Sequence, residues 1–301
     1  MRITVDAWDP SFADGSESPG AAGAAELEVN VERPGADWAP ITPTAPGPNR
    51  VAVVDGVRRL DARVELSDSE GRWPGLCVSW AAGLVTCDFA AAHSEVSTTR
   101  VQRGLFSPVD PERELGPYPY FPIKSDDTAE LIAASQNAMS ALEAEIALNA
   151  EETDLAVLDG TLRGRRHADR AIGYIKSHQR SYLPADLNPI VEQLQPAQRT
   201  PVFQLTTTWP RYCAYLRLPG VTPYGWNGIA RLEAADHGQA DDAAEAIRLV
   251  NSAAAVLPRL ASSSHKDPRA PQNLTPIAGL ERRLKHLMGD PRILLRTIRR
   301  A

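Results

Sequence analysis

Val51-Ala52-Val53-Val54-Asp55-Gly56 and Leu155-Ala156-Val157-Leu158-Asp159-Gly160 decide the fold. Each is an unbroken apolar run closed by Asp-Gly, and short runs rich in Val and Leu belong to strands buried on both faces. A third run, Ala171-Ile172-Gly173-Tyr174-Ile175, ends in Lys176-Ser177. Strands covered on both sides are the strands of an α/β sheet, where groups at the strand C-termini gather along one edge. An Asp-Gly pair taken singly reads as a turn, because Asp starts turns and Gly tolerates positive φ. Two of them on matching strands bring two carboxylates to one place, with a lysine beside them.

Working outward, Val57–Val64 alternates loosely, Trp73–Trp80 and Gly83–Asp88 follow with turn residues between, and Val96–Phe106 adds a further strand, which together predict a meander. From Thr128 to about Asn149 the chain is rich in Ala, Leu and Glu, with Leu131, Ile132, Ala138, Met139, Leu142, Ile146 and Leu148 at helical spacing. After the third run come a Pro-bounded helical stretch, strands at Val202–Thr208, Tyr212–Arg217 and Ile229–Glu233, and a helix from about Asp241 to Leu257. Another helix runs from about Pro276 to Leu287, stopped by Gly289, and Arg292–Arg300 forms a last one. Residues 1–49, mixed in Gly, Ala, Pro and acidic residues with a short strand at Leu27–Val31, read as an N-terminal extension or small appendage to a domain spanning 50–301. A strand carrying the first Asp, a meander, a helix, then a strand carrying the next Asp is the RNase H-like plan: an α/β fold with a mixed sheet flanked by helices.

Composition narrows the function. A hydrophobic share of 43% and a charged share of 23% over 301 residues suit an ordinary folded domain. No stretch approaches the roughly twenty apolar residues of a membrane span, and the first residues lack the apolar core of a secretory signal. The expected location is cytoplasmic and no membrane partner is expected. Cys77, Cys87 and Cys213 show no CxxC spacing, which argues against a disulfide framework or zinc site and for small core residues. The net charge of -6 argues against a protein that coats nucleic acid by bulk electrostatics. It is compatible with an enzyme that concentrates carboxylates at one site and places arginines locally, as at Arg163, Arg165, Arg166 and Arg170, or at Arg296, Arg299 and Arg300. GxxxxGK[ST], GxSxG and HExxH are all absent.

Paired carboxylates at a sheet edge suit a hard divalent cation, Mn²⁺ or Mg²⁺, with coordination positions left for phosphate and water. The runs VAVVDGVRR (51–59), LAVLDGTLRG (155–164), AIGYIKSHQR (171–180), RYCAYLRLPG (211–220) and GIARLEAA (228–235) resemble successive signatures of the NurA family and occur in that family's order. The resemblance implies an RNase H-like, Mn²⁺-dependent DNA exonuclease and single-strand endonuclease. Such nucleases are usually homodimeric and work at DNA ends with a hexameric HerA-type ATPase.

Carried across residue by residue, the resemblance makes Asp55 and Asp159 metal ligands and assigns a further ligand to a glutamate on the preceding helix. Glu143 fits that place better than Glu145, and a spacing of two puts them on different helix faces, so only one can point at the metal. Lys176 matches a lysine that would hold the scissile phosphate. Glu281 stands where the family tends to place a histidine. RNase H-like enzymes accept Asp, Glu or His there, so Glu281 joins the expected catalytic and metal-binding set, unless it forms only an ion pair with Lys285 one turn on.

Weaker candidates surround this set. Arg211, Arg217 and Arg231 either line a DNA channel or form a solvent-facing row; His265, Lys266, Asp267 and His286 lie close enough in sequence to reach the site; Tyr174 and Trp226 either stack on bases or fill the core. Two rival functions remain. One is a non-catalytic RNase H-like scaffold that binds DNA or an ATPase, favoured by the His-to-Glu departure and the acidic charge. The other, an actin-like phosphotransferase, needs Gly-rich phosphate loops that the sequence lacks.

Overall fold

The computed structural model describes residues 2–5, 25–148, 150, 152–163, 170–176, 182–221 and 223–300. Arg165, Arg166 and the Ser177–Arg180 part of the third quoted motif lie outside these residues. At the centre is β3 (Arg50–Ser67), which pairs in parallel with β7 (Leu155–Asp159), itself parallel to β8 (Ala171–Ile175). On its other side β3 runs antiparallel to β4 (Arg72–Asp88), and β4 antiparallel to β5 (His93–Ser107), whose end pairs with β6 (Tyr120–Pro122). Beyond β8 the sheet continues through β11 (Ile229–Ala235), β10 (Pro210–Arg217) and β9 (Phe203–Thr206) to an edge strand, β2 (Glu26–Glu28). β1 (Arg2–Val5) pairs with the far end of β3. The inner order is β5-β4-β3-β7-β8, with only β4 reversed, within the mixed, helix-flanked sheet that the sequence predicts.

Helices cover both faces because these strands are apolar on both. On one face α1 (Thr128–Leu148) packs Leu131, Leu142 and Ile146 against Ala52, Val54, Ala156 and Leu158. On the other, α3 (Asp242–Leu260) and α4 (Thr275–Leu287) pack Val250, Leu257, Ile277, Leu280 and Leu284 against Val51, Val53, Leu155, Val157, Ile172 and Tyr174. Side chains alternate along a strand. Asp55 therefore follows Val51 and Val53, Asp159 follows Leu155 and Val157, and Lys176 follows Ile172 and Tyr174, all toward the α4 face. Each fully buried Val or Leu contributes roughly 1.5–3 kcal/mol, which offsets the cost of holding polar groups at the end of this core. The short α2 (Asn188–Gln193) lies over β9–β11 on the α1 side, where Val191 packs near Phe203 and Tyr215. α5 (Pro291–Arg300) sets Ile298 among Leu66, Leu105 and Tyr118, near the far end of the β3–β5 hairpins.

Two expectations need correction. β3 does not end at Asp55-Gly56 but continues to Ser67, with Asp55 opposite Gly83 and Gly56 opposite Ala82. Trp73–Trp80 and Gly83–Asp88 are one strand, β4, not two. The glycines misled because both sit in strands for packing: a β-carbon on Gly83 would stand 2.9 Å from Leu280 Cδ1 of α4, and one on Gly56 would stand 2.7 Å from Glu143 Oε1 of α1. Gly160, by contrast, follows the end of β7 with φ +87°, a backbone conformation that favours glycine.

Candidate active site

Val54 pairs with Leu158 across the parallel strands, so the next residues, Asp55 and Asp159, stand side by side where β7 ends. Only Asp55 lies within a continuing strand, and its side chain is correspondingly closed in, at 5% exposure. Its Oδ1 accepts the Gly56 N–H at 2.8 Å, while its Oδ2 is buried with no hydrogen-bond partner among the described residues. The close approach of α4 at Gly83 brings Glu281, next to Leu280, over the same spot. Asp55, Asp159 and Glu281 each offer a carboxylate oxygen, all within 4.8 Å of one another.

Charge within this group is unevenly compensated. Burial, then the neighbouring Asp159 and Glu143, push the Asp55 carboxyl well above the usual carboxylate range; Glu281 adds to this and Lys176 opposes it. Lys176 Nζ donates to Asp159 Oδ2 at 2.5 Å and to Asn273 Oδ1 at 3.1 Å. Burial would raise Glu281 too, but hydrogen bonds and charge from Arg269, with Lys176 and Lys285 adding, hold it below its ordinary value. Arg269 grips both its oxygens, at 3.2 and 2.8 Å, and Lys285 Nζ stands 3.8 Å away. The expected Glu281–Lys285 pair and the expected position at the site thus coexist.

Glu143 approaches from the other side of the sheet. It is buried on α1 against Gly56, close enough to raise Asp55 but outside the group of three oxygens. Glu145, two residues on, points to solvent and pairs with Arg100 at 2.6 Å. Of the two glutamates, Glu143 faces inward and Glu145 faces solvent.

The donor set suits a hard divalent cation. It is all oxygen, and it includes a buried acceptor, Asp55 Oδ2, with no hydrogen-bond partner among the described residues. Oxygens on opposite sides of one Mg²⁺ stand roughly 4.2 Å apart, so small side-chain movements close the observed spacing. A cation here would meet Asp55, Asp159 and Glu281, with Glu143 at its margin.

Arg269 and Asn273 went unread in the sequence. Asn273 is fully buried and donates to Asp267 Oδ2 at 2.6 Å, and Asp267 Oδ1 accepts the Arg269 N–H at 2.8 Å. The loop between α3 and α4 thereby ties Lys176 to Arg269. Asp267 reaches the site only through these partners, while His265, Lys266 and His286 are exposed. The arginines read as lining a channel or forming a solvent-facing row turn inward instead. Arg211 and Arg231 bond the fully buried Glu233, at 2.9 and 3.0 Å, and Arg217 donates to the carbonyls of Glu192, Gly225 and Asn227. Tyr174 is core, its hydroxyl donating to the Gln272 carbonyl at 2.7 Å, and Trp226 packs edge-on against Tyr215. The three cysteines are free and buried, as expected. Among the described residues no helix is long and apolar enough to cross a membrane.

No curated protein matches the chain. Among solved structures, the Bacillus subtilis endonuclease V is 13% identical with a TM-score of 0.36, over 83% of this chain and 84% of that one. The Ciona intestinalis endonuclease V, in complex with an inosine-containing 24mer DNA, is 9% identical with a TM-score of 0.34, over 80% and 87%. The catalytic domain of human endonuclease V is 16% identical with a TM-score of 0.30, over 80% and 85%. The family model of the NurA domain matches residues 106–284. That span holds Glu143, Asp159, Lys176, Arg269, Asn273 and Glu281; Asp55 precedes it and joins the group through the β3–β7 register. With more than half of its length matched, the chain belongs to the NurA domain family of nucleases.

Proposed function

We propose that the chain is a Mn²⁺- or Mg²⁺-dependent DNA nuclease whose metal ligands are Asp55, Asp159 and Glu281, with Glu143 completing the set. The observation that carries this reading is the group of Asp55, Asp159 and Glu281, each offering a carboxylate oxygen within 4.8 Å of the others, with a buried Asp55 Oδ2 that has no hydrogen-bond partner among the described residues. When bound, a divalent cation supplies Lewis acidity toward a phosphodiester and toward the water that attacks it. The protein's own part is positional. The β3–β7 register sets the two aspartates, Gly83 admits α4 with Glu281, and Gly56 admits Glu143 from the opposite face. Lys176 places a positive charge beside Asp159, suited to a non-bridging phosphate oxygen and to charge developing on it.

The finer assignment follows the family: exonuclease and single-strand endonuclease action in cytoplasmic DNA-end processing, as a homodimer with a hexameric HerA-type ATPase that supplies translocation. The catalytic domain is residues 50–301, braced at the sheet edge by part of residues 1–49. The rival scaffold reading has one observation in its favour, since Lys176 and Arg269 already neutralise two of the three carboxylates. Labelled single- and double-stranded linear DNA incubated with Mn²⁺, Mg²⁺ or EDTA separates the two, alone and with the ATPase. Cleavage that needs the ion supports the nuclease; a folded protein that binds DNA or the ATPase and cuts under no condition supports the scaffold.

A further inference from the structure

Arg269 differs from the other arginines that pair with buried or half-buried carboxylates. Arg199, Arg211 and Arg231 are closed in, with side-chain exposures of 1%, 5% and 7%, and Arg59, on the buried Asp61, is 24% exposed, whereas Arg269 keeps 54% of its side chain in water while its guanidinium covers both oxygens of Glu281. Glu281 itself is only 13% exposed and faces Asp55 and Asp159. Solvent thus reaches Arg269 from outside and the carboxylate group reaches Glu281 from inside. Arg269 is also anchored independently of Glu281: its backbone N–H donates to Asp267 Oδ1 at 2.8 Å, and its side-chain Nε lies 3.6 Å from the same oxygen. Asp267 is in turn fixed by Asn273, which also accepts from Lys176. A guanidinium held at its base and half exposed at its tip can change partners without leaving its place.

We propose that Arg269 is a resident counter-ion that occupies Glu281 until a divalent cation takes that carboxylate, and that its freed guanidinium then binds a phosphate oxygen of the nucleic acid. The inference rests on the metal-dependent reading above and adds a residue to it. Two cations compete for Glu281, so Arg269 opposes metal binding in the free enzyme. Once displaced, its planar fork presents two donors to a phosphate, a geometry in which arginine excels. Arg269 thereby couples the two events, since each ligand favours the state in which Glu281 and Arg269 are apart.

The test is Mn²⁺ titration of the full chain by calorimetry, with no substrate, for the wild type, Arg269→Ala and Arg269→Gln, alongside Asp159→Asn and Glu281→Gln. A single-stranded oligonucleotide is then bound in Ca²⁺ and followed by anisotropy. Thermal unfolding confirms that each variant is folded, and the glutamine variant keeps the question open to refutation if alanine fails to fold. Both Arg269 variants are expected to bind Mn²⁺ about three- to tenfold more tightly than the wild type, an advantage that disappears in the Glu281→Gln background, and to bind the oligonucleotide at least fivefold more weakly. Weaker Mn²⁺ binding by both Arg269 variants would overturn the proposal and make Arg269 a residue that merely positions Glu281. Absence of Mn²⁺ binding by the wild type, or binding untouched by Asp159→Asn, would overturn the metal reading itself.

Discussion

Gly56 and Glu143 are in mutual contact across the α1 face of the sheet: a β-carbon on Gly56 would stand 2.7 Å from Glu143 Oε1. A glycine in mid-strand costs stability relative to a side chain that packs, and here it makes room for a buried carboxylate beside Asp55. Gly56→Ala is expected to displace Glu143, destabilise the fold by about 1–3 kcal/mol and lower metal-dependent cleavage roughly tenfold or more. Thermal unfolding and a DNA-cleavage time course measure the two effects. Glu143→Gln should reproduce the loss of cleavage and Glu145→Gln should not; equal activities for the two glutamine variants would remove Glu143 from the site.

Asp55 is buried among like charges, with one oxygen unpartnered among the described residues. Replacing it with asparagine removes the repulsion, so Asp55→Asn is expected to unfold at a higher temperature than the wild type in EDTA at neutral pH. Mn²⁺ should then stabilise the wild type and leave the variant nearly unmoved. A variant that gains as much from Mn²⁺ as the wild type contradicts the assignment of Asp55 as a ligand.

Lys176 donates to Asp159 from the adjacent strand end. Lys176→Met is expected to leave the protein folded, because the lysine lies at the margin of the core, and to reduce cleavage by about 10²-fold, the order seen when a group stabilising developing charge is removed. Single-turnover rates at saturating DNA make this distinct from weakened binding. A change in apparent affinity with the rate intact would reduce Lys176 to a binding residue.

Far from the site, Glu32 clamps Arg199 at 2.8 Å to each terminal nitrogen and accepts the Val202 N–H, joining the segment before β3 to the β9 edge of the sheet. Burial would raise Glu32, but the hydrogen bonds and charge of Arg199 win and hold it below its ordinary 4.5. A depressed carboxylate contributes stability that is fully present above the unfolded value and is lost as pH falls through the folded one. The wild type should therefore lose stability on acidification below about pH 4.5 more steeply than Glu32→Gln. At pH 7 the variant should be less stable by about 3 kcal/mol, the low end for breaking a buried pair, because Arg199 keeps Asn251. Denaturant midpoints across pH give both numbers, and parallel acid limbs would contradict the role of Glu32.

The sequence made the centre of this molecule legible and its margins less so. Val51–Val54 and Leu155–Leu158 could be read because strands buried on both faces leave unbroken apolar runs, and α1 because its apolar residues recur at helical spacing. Asp55 and Asp159 followed from where those runs stop. The same punctuation failed at Gly56 and Gly83, since a glycine that makes room for a helix and a glycine that turns the chain look alike in one dimension. Arg269 and Asn273 lie in a loop without periodicity, and their roles depend on Glu281 and Lys176, residues brought near them only by the fold. Arg211, Arg217 and Arg231 were misjudged because alternation along a strand does not say whether a charged row meets water or, as here, a buried glutamate and main-chain carbonyls.

The central claim is that Asp55 and Asp159 hold the ion that cuts DNA. The most direct measurement compares Mn²⁺-dependent digestion of end-labelled DNA by the wild type, Asp55→Asn and Asp159→Asn, each verified as folded. The account predicts cleavage by the wild type that EDTA abolishes, and a loss of at least 10³-fold in either variant, the size of effect expected when transition-state charge is left unstabilised. Undiminished cleavage by either variant would contradict it.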